Sequence, residues 1–141
     1  MAAAALNEQL SARTGGGSLD RLVGLRVLVV EDSFLAAASI SRMLIDLKCR
    51  VIGPVPTVEK AMTQIASGGC DAAVLDISLS GQTSEPIADD LGDRGIPYFF
   101  VTGYASPMLL SARQRSHQRI HKPISQPELR EALIRSLQND R

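Results

Sequence analysis

Five polar residues close four short runs that read as strands. Val27-Leu28-Val29-Val30 leads into Glu31 and Asp32, Val74-Leu75 into Asp76, Tyr98-Phe99-Phe100-Val101 into Thr102, and Arg119-Ile120-His121 into Lys122. Three carboxylates, a hydroxyl and an amine could work together if the fold gathers them. Packed carboxylates repel one another. A hard cation such as Mg²⁺, which prefers oxygen ligands and keeps several waters, would make the cluster tolerable. It would also bridge to a phosphoryl oxygen and offset charge in a transfer step. Phosphoryl transfer needs mainly positioning and electrostatics from a protein. Asp76 could then act as a nucleophile and form an aspartyl-phosphate. Lys122 could ion-pair with a phosphoryl oxygen, and Thr102 could donate a hydrogen bond to another.

Taken singly, each residue has a plainer role. Glu31 and Asp32 suit a helix N-terminus, where the helix dipole favours negative charge. Asp76 could be a turn residue, Thr102 a satisfied strand-end hydroxyl and Lys122 a solvated loop lysine. Their ordered recurrence at successive strand ends is what favours a shared site.

The elements that must position them alternate along the chain. Val27–Val30 is a continuous apolar run, as expected of a strand buried on both faces of a parallel sheet. Ser33 can cap a helix running to about Leu47, with Ile40, Met43, Leu44 and Leu47 on one face. Val51-Ile52 reads as a second, weaker strand closed by Gly53, Pro54 and Pro56. Thr57 can cap a helix with Val58, Ala61, Met62 and Ile65 inward, stopped by Gly68-Gly69. Ala72–Leu75 is the third strand. Ser84 can cap a third helix that tolerates Pro86 in its first turn and ends at Gly95. Pro97–Val101 is the fourth strand, followed by a polar, modestly helical stretch from about Ser106 to Gln114. Arg119–His121 is a short fifth strand. Ser125-Gln126-Pro127-Glu128 forms a capping box for a last helix with Leu129, Leu133 and Leu137 inward.

Five strands alternating with five helices imply an α/β fold, a parallel sheet covered by helices on both faces. In such sheets ligands sit beyond the carboxyl ends of the strands, where the five polar residues fall. The 141-residue length suits one domain, expected over 24–138. Residues 1–20, with Ala2–Ala5 and Gly15–Gly17, read as a flexible N-terminal arm.

Composition narrows the function classes. The formal net charge is zero, which disfavours a partner such as nucleic acid or anionic membrane. Arg113, Arg115, His117, Arg119, His121 and Lys122 crowd one stretch, whose plain reading is a solvated helix face and strand edge. Cys49 and Cys70 are too few for a disulfide framework and have no zinc spacing. They read as reduced thiols, which points to a cytoplasmic protein. No apolar run approaches the length of a membrane span, and the start lacks the basic region of a secretory signal.

As a set, Val27-Leu28-Val29-Val30-Glu31-Asp32, Val74-Leu75-Asp76, Val101-Thr102-Gly103 and Lys122-Pro123 resemble the receiver domains of two-component response regulators. The resemblance covers about residues 24–137, and its motifs are specific together but weak singly. It implies a doubly wound, flavodoxin-like (β/α)5 sheet with strand order 2-1-3-4-5. It makes Asp76 the phosphoacceptor, Asp32 a direct Mg²⁺ ligand, Glu31 a ligand through water, and the Ser78 carbonyl a backbone ligand. Thr102 becomes the switch hydroxyl and Lys122 the phosphate-binding lysine, with a cis Lys122–Pro123 bond.

Two departures stand out. Receivers commonly carry Met-Pro shortly after the phosphoacceptor, where this chain has Ile77-Ser78-Leu79-Ser80-Gly81. Many carry an aromatic three residues before the lysine, where this chain has Arg119. Pro97–Tyr104 looks like the strand of the FAT GUY receivers, which lack that aromatic and often pair with histidine kinases of the HWE or HisKA2 type. In that setting Gly103 leaves open space beside the site, and Tyr104 could gate it.

The expected function is that of a single-domain response regulator in a bacterial phosphorelay. It would take its phosphoryl group from a histidine kinase or histidine phosphotransfer domain. It would then act as a shuttle, a sink or a regulator through protein contacts, catalysing only its own phosphorylation and dephosphorylation. One competing reading is a non-phosphorylated docking adaptor, which predicts loss of a site residue; none is missing. Another is an aspartyl-nucleophile phosphatase, which favours an Asp two residues after the nucleophile; Ser78 stands there.

Overall fold

The structure is a computed structural model and describes residues 21–103 and 109–138. Five parallel strands form one sheet: β1 (Arg26–Val30), β2 (Arg50–Val55), β3 (Ala72–Asp76), β6 (Tyr98–Thr102) and β7 (Arg119–His121). Their order is β2-β1-β3-β6-β7, which is the expected 2-1-3-4-5 once a small extra hairpin is counted. That hairpin, β4 (Ser78–Leu79) with β5 (Gln82–Thr83), is antiparallel and lies outside the main sheet. The helices among the described residues are α1 (Phe34–Asp46), α2 (Val58–Ser67), α3 (Glu85–Asp93), α4 (Ala112–Arg115) and α5 (Gln126–Gln138).

Alternation along each central strand splits the core into two layers. Leu28, Val30, Ala73, Leu75, Tyr98 and Phe100 pack with Ala61 and Ile65 of α2 and with Ile87, Ala88 and Leu91 of α3. Val27, Val29, Ala72, Val74, Phe99 and Val101 pack with Ile40 and Leu44 of α1 and with Leu129, Ala132 and Leu133 of α5. Phe99 and Phe100 are fully buried on opposite faces, and each contributes about 1.5–3 kcal/mol from leaving water. Leu22, just ahead of the expected 24–138 boundary, is also fully buried in the α1/α5 layer.

Several helix ends follow from their sequences. The Ser33 hydroxyl accepts a hydrogen bond from the Ala36 amide, and Thr57 accepts one from Lys60. Ser125 and Glu128 make the reciprocal capping box: the Ser125 amide donates to Glu128 Oε1, and the Glu128 amide donates to Ser125 Oγ. Ser84 does occupy the N-cap of α3, but its side chain makes no capping bond. Its backbone has φ −85° and ψ 9°, whereas Ser33 at the cap of α1 is extended at ψ 120°.

Three expectations need correction. β2 does not stop at Gly53 but runs through Gly53 and Pro54 to Val55. Its register against β1 shifts between Leu28 and Val30, so one extra residue bulges. Pro54 is accepted because β2 is an edge strand. Gly53 is required there: its φ is +91°, and a Cβ would lie 2.8 Å from the Val55 amide nitrogen. Next, the described part of the expected 106–114 helix begins only at Ala112, because Ser111 is extended and its amide is taken by Glu85 Oε1. Residues 106–108 of that stretch lie outside the described residues. Finally, residues after Asp76 form a β4–β5 hairpin that the sequence pattern does not signal. Ser80 and Gly81 form its two-residue turn with φ of +50° and +87°, the pattern of a type I′ turn.

Cys49 and Cys70 are buried thiols, free of any disulfide. Burial pushes both up to about 11. Among the described residues no helix is long and apolar enough to cross a membrane.

The C-terminal end of α1 yields a stability prediction. Lys48 sits at φ +72°, with its amide on the Ile45 carbonyl and the Cys49 amide on the Leu44 carbonyl, a Schellman arrangement that favours glycine. Lys48→Gly should stabilise the domain by about 0.5–1 kcal/mol, the relieved left-handed strain less the entropy glycine loses on folding. Urea unfolding would show it as a higher midpoint at unchanged slope.

Candidate functional site

The sheet register creates the site. Val30 on β1 pairs with Leu75 on β3, so the next residues, Glu31 and Asp76, emerge side by side. Strand alternation aims both toward the α1/α5 layer, since Val29 and Val74 two positions earlier pack there. The Glu31 amide still bonds the Val55 carbonyl, extending the ladder one step. Asp32 follows in the loop before α1. Carboxylate oxygens of Glu31, Asp32 and Asp76 all lie within 4.8 Å of one another.

Lys122 closes the cluster from the far side. It follows β7, and its bond to Pro123 is cis, as the resemblance implies. Its ammonium lies 2.6 Å from Glu31 Oε1 and 3.2 Å from Asp76 Oδ2. The Glu31 side chain is fully buried, so this contact carries much of its compensation. Glu31 Oε2 also accepts the Ser33 amide at 3.0 Å, tying the carboxylate to the start of α1.

The electrostatics follow from this crowding. Burial, then hydrogen bonding and repulsion from Glu31, push the Asp76 carboxyl up to about 7, against the opposing pull of Lys122. Burial lowers the Lys122 ammonium, but the Glu31 and Asp76 carboxylates outweigh it and hold it above its ordinary value. The cluster thus has more acid than one ammonium balances. That excess, on three converging oxygen donors, fits a hard divalent cation such as Mg²⁺.

Thr102 and Ser78 complete the expected set. Thr102 ends β6 one residue past Val101, the register partner of Asp76, and it is fully buried. Ser78 lies two residues after Asp76 at the start of β4. Asp76, Ser78, Gly103 and Lys122 share one groove of about 910 Å³ with Leu35 and Met43 of α1. Around Gly103 an added Cβ would meet Lys122 Cδ at 3.8 Å, an ordinary contact, so there is room at this point. Tyr104, the expected gate, lies outside the described residues.

One further residue joins the site from outside the strand ends. Ser80, at the tip of the β4–β5 hairpin, donates from its amide (2.9 Å) and its hydroxyl (3.2 Å) to Asp32 Oδ2. The Ser-Gly dipeptide is a turn signal. It was legible as a turn, but nothing local says that the turn reaches Asp32, 48 positions away.

Arg119 stands where an aromatic is usual. Its guanidinium donates to the Arg115 carbonyl at the end of α4 and to the His117 carbonyl. His117 stacks on Tyr98, with ring centroids 4.1 Å apart. The Tyr98 hydroxyl donates to Gln114 Oε1, and Gln114 donates to Asp89 of α3, which also pairs with Arg113. The basic run is therefore largely engaged within the fold: Arg113, His117, Arg119 and Lys122 each have internal partners.

No family model matches the chain, and no curated protein does. Solved structures do. SdrG from Sphingomonas melonis Fr1 is 33% identical, covering 82% of this chain and 98% of that one, with a TM-score of 0.72. The response regulator PhyR from Brucella abortus is 25% identical over 89% of this chain, with a TM-score of 0.72. The signal receiver domain of a modulated diguanylate cyclase from Desulfovibrio desulfuricans G20 is 25% identical over 83% of this chain and 96% of that one, with a TM-score of 0.75. The chain belongs to the response-regulator receiver domains. This receiver spans 52% of the PhyR chain. SdrG has a second structure, described as a BeF3-activated conformation, at 33% identity and a TM-score of 0.65.

The raised carboxyl of this receiver makes its metal-free stability depend on pH. A folded value of about 7 against an ordinary 3.8 means the native state holds the proton more tightly. The stabilisation is complete below about pH 4 and is lost as pH rises through about 7. Asp76→Asn, which stays neutral, should match wild type near pH 4. In metal-free buffer at pH 8 it should be more stable by roughly 1–4 kcal/mol. Thermal unfolding across that range would check it.

Proposed function

We propose that this receiver accepts a phosphoryl group on Asp76 from a phosphohistidine of a histidine kinase or histidine phosphotransfer domain. The observation that carries the reading is the juxtaposition of Asp76 with Glu31, Asp32 and Lys122 at the carboxyl edge of the sheet. The similarity to SdrG, for which a BeF3-activated conformation is described, supports it.

Glu31, Asp32 and Asp76, with the Ser78 carbonyl, would hold Mg²⁺. When bound, the ion supplies positive charge to the oxygens of the transferring group. The Asp76 carboxylate is the nucleophile: its oxygen forms a bond to phosphorus as the donor's phosphorus–nitrogen bond breaks. Lys122, already 3.2 Å from Asp76 Oδ2, favours the charged carboxylate that attacks and pairs with the phosphoryl group afterwards. Thr102 serves as the hydroxyl that senses the phosphoryl oxygens. The receiver catalyses its own phosphorylation and dephosphorylation and acts on no separate substrate.

The output surface follows from the packing around Arg119. The phosphate biases the contacts that join β6, β7, α4 and α3 through Tyr98, Gln114, Asp89 and Arg119. Val101-Thr102-Gly103 together with the missing aromatic supports the FAT GUY subgroup, and with it an HWE or HisKA2 kinase as donor. A cytoplasmic location fits the buried, unpaired thiols.

Incubation with a small phosphodonor and Mg²⁺, followed by intact-mass measurement, tests the reading. Wild type should gain the mass of one phosphoryl group, and Asp76→Ala should gain none. Chelation of the cation should slow the wild-type reaction by at least ~100-fold, as expected when a metal ion offsets several kcal/mol of transition-state charge. Equal labelling of wild type and Asp76→Ala would overturn the assignment.

A further inference from the structure

We propose that Ser80 is a positioning residue for the cation site, holding the Asp32 carboxylate from the tip of the β4–β5 hairpin. This rests on the reading of Glu31, Asp32 and Asp76 as ligands of Mg²⁺.

Asp32 needs such support. Glu31 and Asp76 are buried and held by their strands and by Lys122, but Asp32 is exposed in the loop before α1. A short carboxylate side chain without packing samples several rotamers. Two Ser80 donors converge on its Oδ2, the amide at 2.9 Å and the hydroxyl at 3.2 Å. Hydrogen bonds to a ligating carboxylate orient it, and their loss typically weakens metal binding 10–100-fold.

The turn itself gives a second reason. Ser80 has φ +50°, in the left-handed region that suits Gly or Asn, and Gly81 follows at +87°. A serine there bears backbone strain that glycine would relieve. What serine adds is a hydroxyl, and that hydroxyl is on Asp32. The hairpin occupies the segment where most receivers carry Met-Pro. In this chain the segment has become a clasp that brings the loop after the phosphoacceptor onto the acidic loop after β1.

Two variants separate a role in positioning from a role in folding. Ser80→Gly and Ser80→Ala both lose the hydroxyl and keep the amide. Only Ser80→Gly relieves the strain. Binding of Mg²⁺ to the full chain, measured by titration calorimetry, should weaken about tenfold in both variants. Thermal unfolding without cation should rank Ser80→Gly above Ser80→Ala. Asp32→Asn marks the loss expected when the ligand itself is removed. Affinities in the two Ser80 variants equal to wild type would overturn the positioning role. Affinities that follow the order of stability, with Ser80→Gly binding as wild type does, would overturn it too. Failure of wild type to bind Mg²⁺ would instead remove the cation site, and this inference with it.

Discussion

Two carboxylates sit side by side at the carboxyl edge of this sheet with one ammonium between them. Glu31 and Asp76 are both buried, and the register of β1 against β3 gives them no way apart. Burying like charges is costly unless a partner compensates them. Lys122 does so only in part, which is why burial and Glu31 leave Asp76 at about 7. The same imbalance makes the cluster receptive to a divalent cation. It also explains the neighbouring architecture: α1 starts with the Ser33 amide on Glu31, and the hairpin tip reaches back to Asp32.

The cluster can exist because the layers below it are rigid. Central strands buried on both faces present alternating side chains to two separate cores. Such close-packed interiors resist small displacements. Repulsion at the strand ends is therefore resisted by packing that extends the full length of β1, β3 and β6. The edge strand β2 tolerates a bulge at Gly53 and Pro54 that a central strand would not.

Arg119 stands on β7 at the position where many receivers carry an aromatic. Its guanidinium binds the Arg115 carbonyl at the end of α4 and the His117 carbonyl beyond it. Tyr98, Phe100 and His117 pack ring against ring, and a hydrogen-bonded chain through Gln114 joins them to α3. The segment from α4 to β7 is thus anchored by polar contacts, which are directional.

The order of strands and helices, the identity of Glu31, Asp32, Asp76, Thr102 and Lys122 as residues at strand ends, and the caps at Ser33, Thr57 and Ser125 were all legible locally. Apolar period and capping act over a few residues, so a sequence window contains them. Ser84 was legible as a cap position but not as a cap without a side-chain bond, because that depends on its backbone angles. The length of β2 past Pro54 depended on its being an edge strand. The distance from Lys122 to Glu31, the height of the Asp76 carboxyl, the partners of Arg119 and the reach of Ser80 to Asp32 were decided only by the tertiary structure. Except for the short-range bonds of Arg119 to Arg115 and His117, these join residues tens of positions apart, and a hydrogen bond or ion pair is set by ångströms that no local pattern encodes.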